Sequence, residues 1–263
     1  MKGYLQMTNL PMVSVIIPCY NHEKYIEQAL KSVFEQTYTN IEIIVIDDGS
    51  SDNSVKVLKE IQKQHDFTLI TQSNMGVCKT LNKAILHSNG KYIALLASDD
   101  YWDKTKIEKQ VRLLETSTNS EFCYTQAKEF DENDTSYEKI FPKKPLTGKV
   151  LKQVFIRQHV PAGSIMFSRE LFDKLHGFDE NLKEEDWDFV IRSAAQTEFS
   201  AVPEPLFYYR SHEKNIMKTR KRKEIFRQKA LLLTKNFDLV SPYRWFLSIT
   251  IHFLYDIILK KDC

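Results

Sequence analysis

Two adjacent carboxylates, Asp99 and Asp100, end the apolar run Tyr92-Ile93-Ala94-Leu95-Leu96-Ala97. Two acids side by side repel each other unless a cation or a donor-rich ligand lies between them. A hard divalent metal that carries a substrate phosphate suits such a pair. Two further apolar runs end in polar clusters, Cys19-Tyr20-Asn21 and Asp47-Asp48-Gly49-Ser50. Asp-Asp-Gly-Ser alone reads as a capped turn, but three coincident strand ends point to a site. Together they offer an aromatic face, a base-reading carboxylate and a metal-binding pair, the inventory needed to hold a nucleoside diphosphate. In that reading Tyr20 stacks on a base, Asp48 accepts from a base N–H, and Asp99 accepts from ribose hydroxyls. Asp100 then ligates Mg2+ or Mn2+ bridging the diphosphate. Lys79, just after Asn74-Met75-Gly76, reads equally as a neutraliser of diphosphate and as a solvated helix lysine. Another acidic cluster, Glu184-Glu185-Asp186-Trp187-Asp188, starts a helix. Carboxylates favour that positive dipole end, and one placed there can also deprotonate an acceptor hydroxyl.

These residues need a frame to position them. Residues 13–18 form a β-branched run ended by Pro18, which reads as a buried strand. Residues 22–36 carry apolar side chains at helical spacing, and 41–46 is a second strand. Ser51 or Asp52 can cap the next helix, whose apolar face is Val55, Leu58 and Ile61. A weaker strand at 67–71, a helix at 79–87 and a strand at 92–97 follow. This alternation, with near-continuous apolar strands, predicts an α/β fold with a parallel doubly wound sheet. In such a sheet the three polar strand ends share one edge, where ligands bind. The second half predicts helices at 103–115, 148–158, 169–175 and 186–195, with strands at 121–127, 164–167 and 203–209. Residues 131–145 read as a loop, and the chain from 220 onward as helical.

The bulk composition narrows the field. The chain has 263 residues, 42% of them apolar and 27% charged, enough for one large domain or a domain with an appendage. A net charge of +2 makes the whole chain no polyanion binder. The single basic block at 218–229 carries no nucleic-acid motif, so a nucleic-acid partner is not expected. Neither a P-loop nor Gly-x-Gly-x-x-Gly occurs, which argues against an NTPase or a dinucleotide enzyme. Cys19, Cys78, Cys123 and Cys263 lack paired or metal-type spacing and read as reduced thiols of a reducing compartment. No basic-then-apolar leader opens the sequence. The apolar stretch 245–259 is broken by Ser248, His252 and Asp256 and falls short of the roughly 20 residues of a membrane span. With the basic block, it reads either as an interfacial helix on an anionic membrane or as a helix packed on the rest of the chain.

In order, the strings Val13-Ser14-Val15-Ile16-Ile17-Pro18-Cys19-Tyr20-Asn21, Ser32-Val33-Phe34-Glu35-Gln36-Thr37-Tyr38 and Ile46-Asp47-Asp48-Gly49-Ser50-Ser51-Asp52 resemble the inverting family 2 glycosyltransferases. Asn74-Met75-Gly76, Ala97-Ser98-Asp99-Asp100, Gly177-Phe178-Asp179-Glu180, Glu185-Asp186-Trp187-Asp188 and Tyr209-Arg210-Ser211-His212 continue the series. Single motifs are weak, whereas the ordered set is specific. The resemblance implies a GT-A type, Rossmann-like sheet flanked by helices with a C-terminal helical extension. It implies an N-terminal extension at 1–11, a catalytic domain at 12–215 and a basic, apolar tail at 216–263. The domain would have a nucleotide-binding half at about 12–102 and an acceptor half at about 103–215. It further implies nucleotide contacts from Pro18, Tyr20, Asn21, Asp48, Asn74, Gly76, Lys79 and Asp99, and metal contacts from Asp100 and His212. Asp186 would be the catalytic base, and Gly163, Ser164, Glu185 and Trp187 would face sugar or acceptor. Many members carry an acid where this chain has Ala97. The implied activity is metal-dependent, inverting transfer from a nucleotide sugar, with UDP expected, to a glycan or lipid-linked glycan of a surface polysaccharide. Mn2+ or Mg2+ is the implied cofactor. The expected location is cytoplasmic, with the tail a candidate contact to the inner membrane face. Transfer to polyprenyl phosphate, or nucleotide-sugar binding without catalysis, are the rival readings.

Overall fold

The computed structural model describes residues 10–131, 133, 138–182, 185–213, 215 and 220–259. The described strands form one nine-stranded sheet. Its first half is the expected parallel unit: β1 (Val13–Cys19) is flanked by β2 (Ile41–Asp47) and β4 (Tyr92–Leu95), with β3 (Thr68–Thr71) outside β2. Beyond β4 the sheet changes character. β8 (Met166–Ser168) runs antiparallel to both β4 and β6 (Ser120–Asp131). β9 (Glu198–Ser211) lies parallel to β6, and the short β5 (Tyr101–Trp102) pairs antiparallel with β9. The sheet is therefore mixed, not uniformly parallel as the strand–helix alternation suggests. The loop expected at 131–145 also contains a strand, β7 (Glu138–Phe141), paired antiparallel with β6.

Alternation along β1 explains why its sequence, Ser14 excepted, is apolar on both faces. Ile16 joins Ile44, Ile46 and Ile93 on one face, while Val15 and Ile17 join Val45 and Ala94 on the other. Helices cover both faces, so β1 and β4 are almost wholly buried, while the edge strand β3 keeps Thr68 and Thr71 exposed. On one side lie α1 (Ile26–Phe34), α2 (Ser54–Gln62) and α4 (Lys106–Thr116). On the other lie α3 (Val77–Leu86), α5 (Leu151–Ile156) and α7 (Glu185–Gln196). Each fully buried Ile, Leu or Val contributes about 1.5–3 kcal/mol. α6 (Arg169–Lys174) is capped by the Ser168 hydroxyl, which accepts from Leu171 N at 3.0 Å.

Two local expectations shift. α1 starts at Ile26 rather than near residue 22, and Asn53 takes the position before α2 without a side-chain cap bond. Asp52 instead accepts from the backbone of Ser54 (2.9 Å) and Glu23 (3.0 Å), tying the α2 entrance to the loop after β1. The tail forms α8 (Arg222–Lys235) and α9 (Pro242–Phe253), continued by a π-helical turn at Leu254–Leu259. Both helices rest on the domain: Asn236 donates to Asp188, and Ser248 donates to Phe155 O at 3.0 Å. Among the described residues no helix is long and apolar enough to cross a membrane. Cys19, Cys78 and Cys123 are buried free thiols; Cys263 lies outside the described residues.

Candidate active site

The register of the parallel strands brings the polar ends together. Cys19 lies opposite Asp47 across β1 and β2, and Ile16 lies opposite Leu95 across β1 and β4. The chain segments leaving β1, β2 and β4 thus emerge side by side, as the sequence predicts. Tyr20 stands 48% exposed at the end of β1, open to a stacking partner. Asn21 adopts a left-handed φ of 56°, which Asn tolerates better than most residues. Its Oδ1 accepts from Ser51 N at 2.7 Å, clamping the first loop to the second. Pro18 is half-buried in β1, opposite Ile46.

Asp48 is held by the loop that precedes α3. Its carboxylate accepts from Met75 N at 2.8 Å, Gly76 N at 3.0 Å and Gln72 Nε2 at 2.8 Å. A carboxylate offers about four acceptor sites, so a base N–H can still be received. Gly49 explains its own identity: φ is +79°, and a Cβ there would sit 2.8 Å from Asn74 N. Asn74, Gly76 and Lys79 are all exposed at this mouth.

The strongest polar convergence centres on Asp99. His212 Nε2 lies 3.0 Å from Asp99 Oδ2, and His22 Nε2 lies 3.8 Å from the same oxygen. Ligand-type atoms of His22, Asp99 and His212 all fall within 4.8 Å of one another. Ser98 Oγ engages His22 Nδ1 at 2.8 Å, and Tyr25 stacks on His212 with centroids 5.0 Å apart. Burial opposes ionisation of Asp99, but the His212 hydrogen bond and nearby His22 outweigh it, so its pKa lies below the ordinary value. The set fits a divalent cation. Two imidazoles and a carboxylate converge, and the buried Nδ1 of His212 has no hydrogen-bond partner among the described residues. Imidazole with carboxylate suits a first-row transition ion such as Mn2+ better than Mg2+, which prefers all-oxygen shells. A cleft of about 440 Å3 opens here, lined among others by Asn21, His22, Tyr25, Ser51, Asp52 and His212.

Asp100 sits behind this group, 3% exposed, with Oδ1 accepting from Arg210 N at 2.8 Å. Burial and the charge of Asp99 push its pKa well up, against the pull of Arg210. A cation held beside it would favour the ionised carboxylate. Arg210 also donates Nε to Asp99 O at 2.9 Å, so β9 clamps the acidic pair from the side opposite β1. His22 and Arg210 carry no assigned role in the sequence reading. His22 stands one residue after Asn21, so its proximity to the first strand end is a usable signal; nothing local marks Arg210.

The second acidic cluster separates into different jobs. Asp186, in the first turn of α7, is partly exposed and accepts from Gln158 Nε2 at 3.2 Å. Burial raises its pKa, and the Gln158 hydrogen bond offsets only part of that rise. Asp188 is fully buried and binds Arg192 at 2.7 Å, a structural pair. Trp187 is 3% exposed and donates Nε1 to Val154 O at 2.7 Å. Its expected contact with sugar or acceptor is therefore corrected: the indole is core. The same correction applies to Gly163 and Ser164. Ser164 is fully buried and donates to Pro161 O at 2.7 Å. Gly163 O accepts from Trp102 Nε1 at 2.7 Å, and a Cβ at Gly163 would lie 2.5 Å from the Phe207 ring. Glu184 and the Glu185 side chain lie outside the described residues.

Comparison with known proteins follows the same lines. A family model described as glycosyl transferase family 2 matches residues 14–176. The provisionally named teichuronic acid biosynthesis glycosyltransferase TuaG of Bacillus subtilis is 39% identical over 111 residues, 41% of this chain and 44% of TuaG. The chain spans between 33% and 71% of the lengths of three other curated glycosyltransferases that it matches. S. aureus TarS, solved in complex with UDP-GlcNAc, superposes with a TM-score of 0.73 at 18% identity, covering 93% of this chain and 73% of that one. The mannosyltransferase PcManGT from Pyrobaculum calidifontis, solved with GDP-Man and Mn2+, gives a TM-score of 0.70 at 19% identity, covering 94% and 71%. At these identities the structural likenesses establish the GT-A fold.

Proposed function

The chain belongs to glycosyl transferase family 2, and we propose that it transfers a sugar from a UDP-sugar, with inversion, to a hydroxyl of a glycan or lipid-linked glycan in surface polysaccharide synthesis. The observation that carries this reading is the meeting of Tyr20, Asp48 and the Asp99 cluster at the ends of three adjacent strands. The biosynthetic role in TuaG's name and the UDP-GlcNAc bound to TarS support the polysaccharide context and the choice of nucleotide. In this reading Tyr20 stacks on the uracil, Asp48 accepts its N–H, and Asn21, Asn74 and Gly76 shape the rim. Pro18 holds the strand end beneath the base, and Lys79 faces the diphosphate. Asp99, His22 and His212, with Asp100 behind them, hold Mn2+ or Mg2+. When bound, the cation supplies charge neutralisation for the departing diphosphate.

Asp186 takes the proton of the acceptor hydroxyl as its oxygen attacks the anomeric carbon from the face opposite the nucleotide. A raised carboxylate pKa makes a better base at neutral pH. A phosphate acceptor needs no such base, so this shift favours a hydroxyl acceptor over polyprenyl phosphate. The enzyme works in the cytoplasm, at the inner membrane face where lipid-linked acceptors are held. Replacing Asp186 with Asn tests the assignment: transfer falls by about 10²–10⁴-fold while donor binding, followed by calorimetry, is unchanged. Transfer at the full rate would remove Asp186 from the role of base.

A further inference from the structure

α9 is built inside out. Its inward side carries Ser248, His252 and, in the following π turn, Asp256, all buried polar residues beside partly buried Trp245 and Ile249. Each buried polar group has a partner: Ser248 donates to Phe155 O, His252 Nε2 lies 3.0 Å from Ile156 O, and Asp256 pairs with Lys229 at 2.8 Å. Its outward side is apolar. Tyr243 is 74% exposed, Phe246 64% and Leu254 44%, and the turn adds Ile258 at 51% and Leu259 at 73%. Tyr243, Phe246, Phe253, Leu254 and Ile258 fall on one side at helical spacing, with half-buried Thr250 among them, so this is one stripe rather than scattered exposure. A contiguous apolar surface of this kind on a folded chain marks an interaction site.

We propose that this stripe lies in the interface of an anionic membrane, with α9 parallel to the membrane plane. Charge decides between lipid and protein as the occupant. Lys221, just before α8, and Lys223 and Arg227 on it stand exposed, and α8 packs against α9 through Phe226 and Phe253. Lysine is depleted at protein–protein interfaces, whereas exposed basic residues beside an apolar helical face match an anionic lipid surface. Tyr243 and Phe246 suit the headgroup boundary, where aromatic rings concentrate. Buried Ser248, His252 and Asp256 keep the helix bound to its own domain, so the segment lies on the membrane and does not cross it.

This deepens the location in the proposed function, and the test keeps the two apart. The full chain is floated with extruded phosphatidylcholine vesicles containing or lacking phosphatidylglycerol, in parallel with Tyr243→Ser/Phe246→Ser and Lys221→Glu/Lys223→Glu/Arg227→Glu variants. The expected result is binding to the anionic vesicles, at least tenfold weaker on pure phosphatidylcholine and at least tenfold weaker for either variant. Metal-dependent nucleotide release and the melting temperature stay unchanged in both variants. Equal flotation of wild type and the Tyr243/Phe246 variant overturns the proposal. So does failure of the wild type to float, including the case where it forms a dimer that the same variant abolishes, which assigns the stripe to a second copy.

Discussion

Asp186 joins a helix start, partial exposure and a raised pKa at one carboxyl group. Burial favours its protonated form, and catalysis requires the ionised form. With Asp186 as the proposed base, transfer is expected to be lost as pH falls through a value above that of an ordinary aspartate, and a pH–rate profile measures it. The same shift has a stability sign. Where the folded group holds its proton and the unfolded group does not, stability falls as pH rises, and the penalty persists above the folded pKa. Asp186→Asn removes that penalty, so the inactive variant melts higher at pH 7 than the wild type, a shift that calorimetry detects. At the metal cluster, Ser98 orients His22 through Nδ1. Second-sphere partners of metal-bound imidazoles typically control affinity by 10–100-fold. Ser98→Ala is expected to weaken Mn2+ binding about tenfold, read by electron paramagnetic resonance titration; unchanged affinity would leave His22 outside the ligand set. Asp99 and Asp100 were legible because they interrupt an apolar run. Arg210 was not, because its backbone N–H and its guanidinium reach Asp100 and Asp99 from a strand 110 and 111 residues further along the chain.

The elements sort the acidic and glycine motifs into chemical and architectural roles. Period and composition sufficed for the parallel β1–β2–β4 unit, since both faces are covered and most positions are apolar, Ser14, Glu42 and Asp47 excepted. They did not suffice for β8 or β7, short strands whose pairing depends on partners far along the chain. The Glu184–Asp188 string looked uniform in sequence, yet helical periodicity turns Trp187 and Asp188 fully inward and leaves Asp186 partly exposed. Lys106 is a further case. It sits wholly buried in α4 with Nζ 3.8 Å above the Trp102 ring and 2.7 Å from Gln110 Oε1, and burial lowers its pKa to about 7. A surface lysine and this one are indistinguishable by spacing. Gln110 also donates to Ser164 O, and Trp102 donates to Gly163 O, so α4, β5 and the Pro161–Ser164 turn form one buried polar joint. Gly163→Ala drives a methyl into Phe207 and is expected to cost about 1–3 kcal/mol, measured by urea unfolding. A loss below that range would show that Phe207 can move aside.

At the scale of the whole molecule, one sheet frames the residues of both proposed substrate sites. The parallel half presents the polar strand ends, β9 and the turn after it return Arg210 and His212 to the same edge, and α7 carries Asp186, the proposed base. The tail closes the acceptor half through Asn236, Ser248 and His252 while keeping its apolar stripe outward. The sequence reading found the tail's two ingredients, basic block and apolar stretch, but not that the residues breaking the stretch, Ser248, His252 and Asp256, are the ones that face the domain. The account rests on donor cleavage at the Asp99 cluster. The most direct measurement is nucleotide release from a panel of nucleotide sugars, with wild type and Asp99→Asn, before and after EDTA. The account predicts release of UDP from at least one UDP-sugar, stopped by EDTA, restored by Mn2+ and lost in Asp99→Asn. Release indifferent to EDTA, or undiminished in Asp99→Asn, would contradict it.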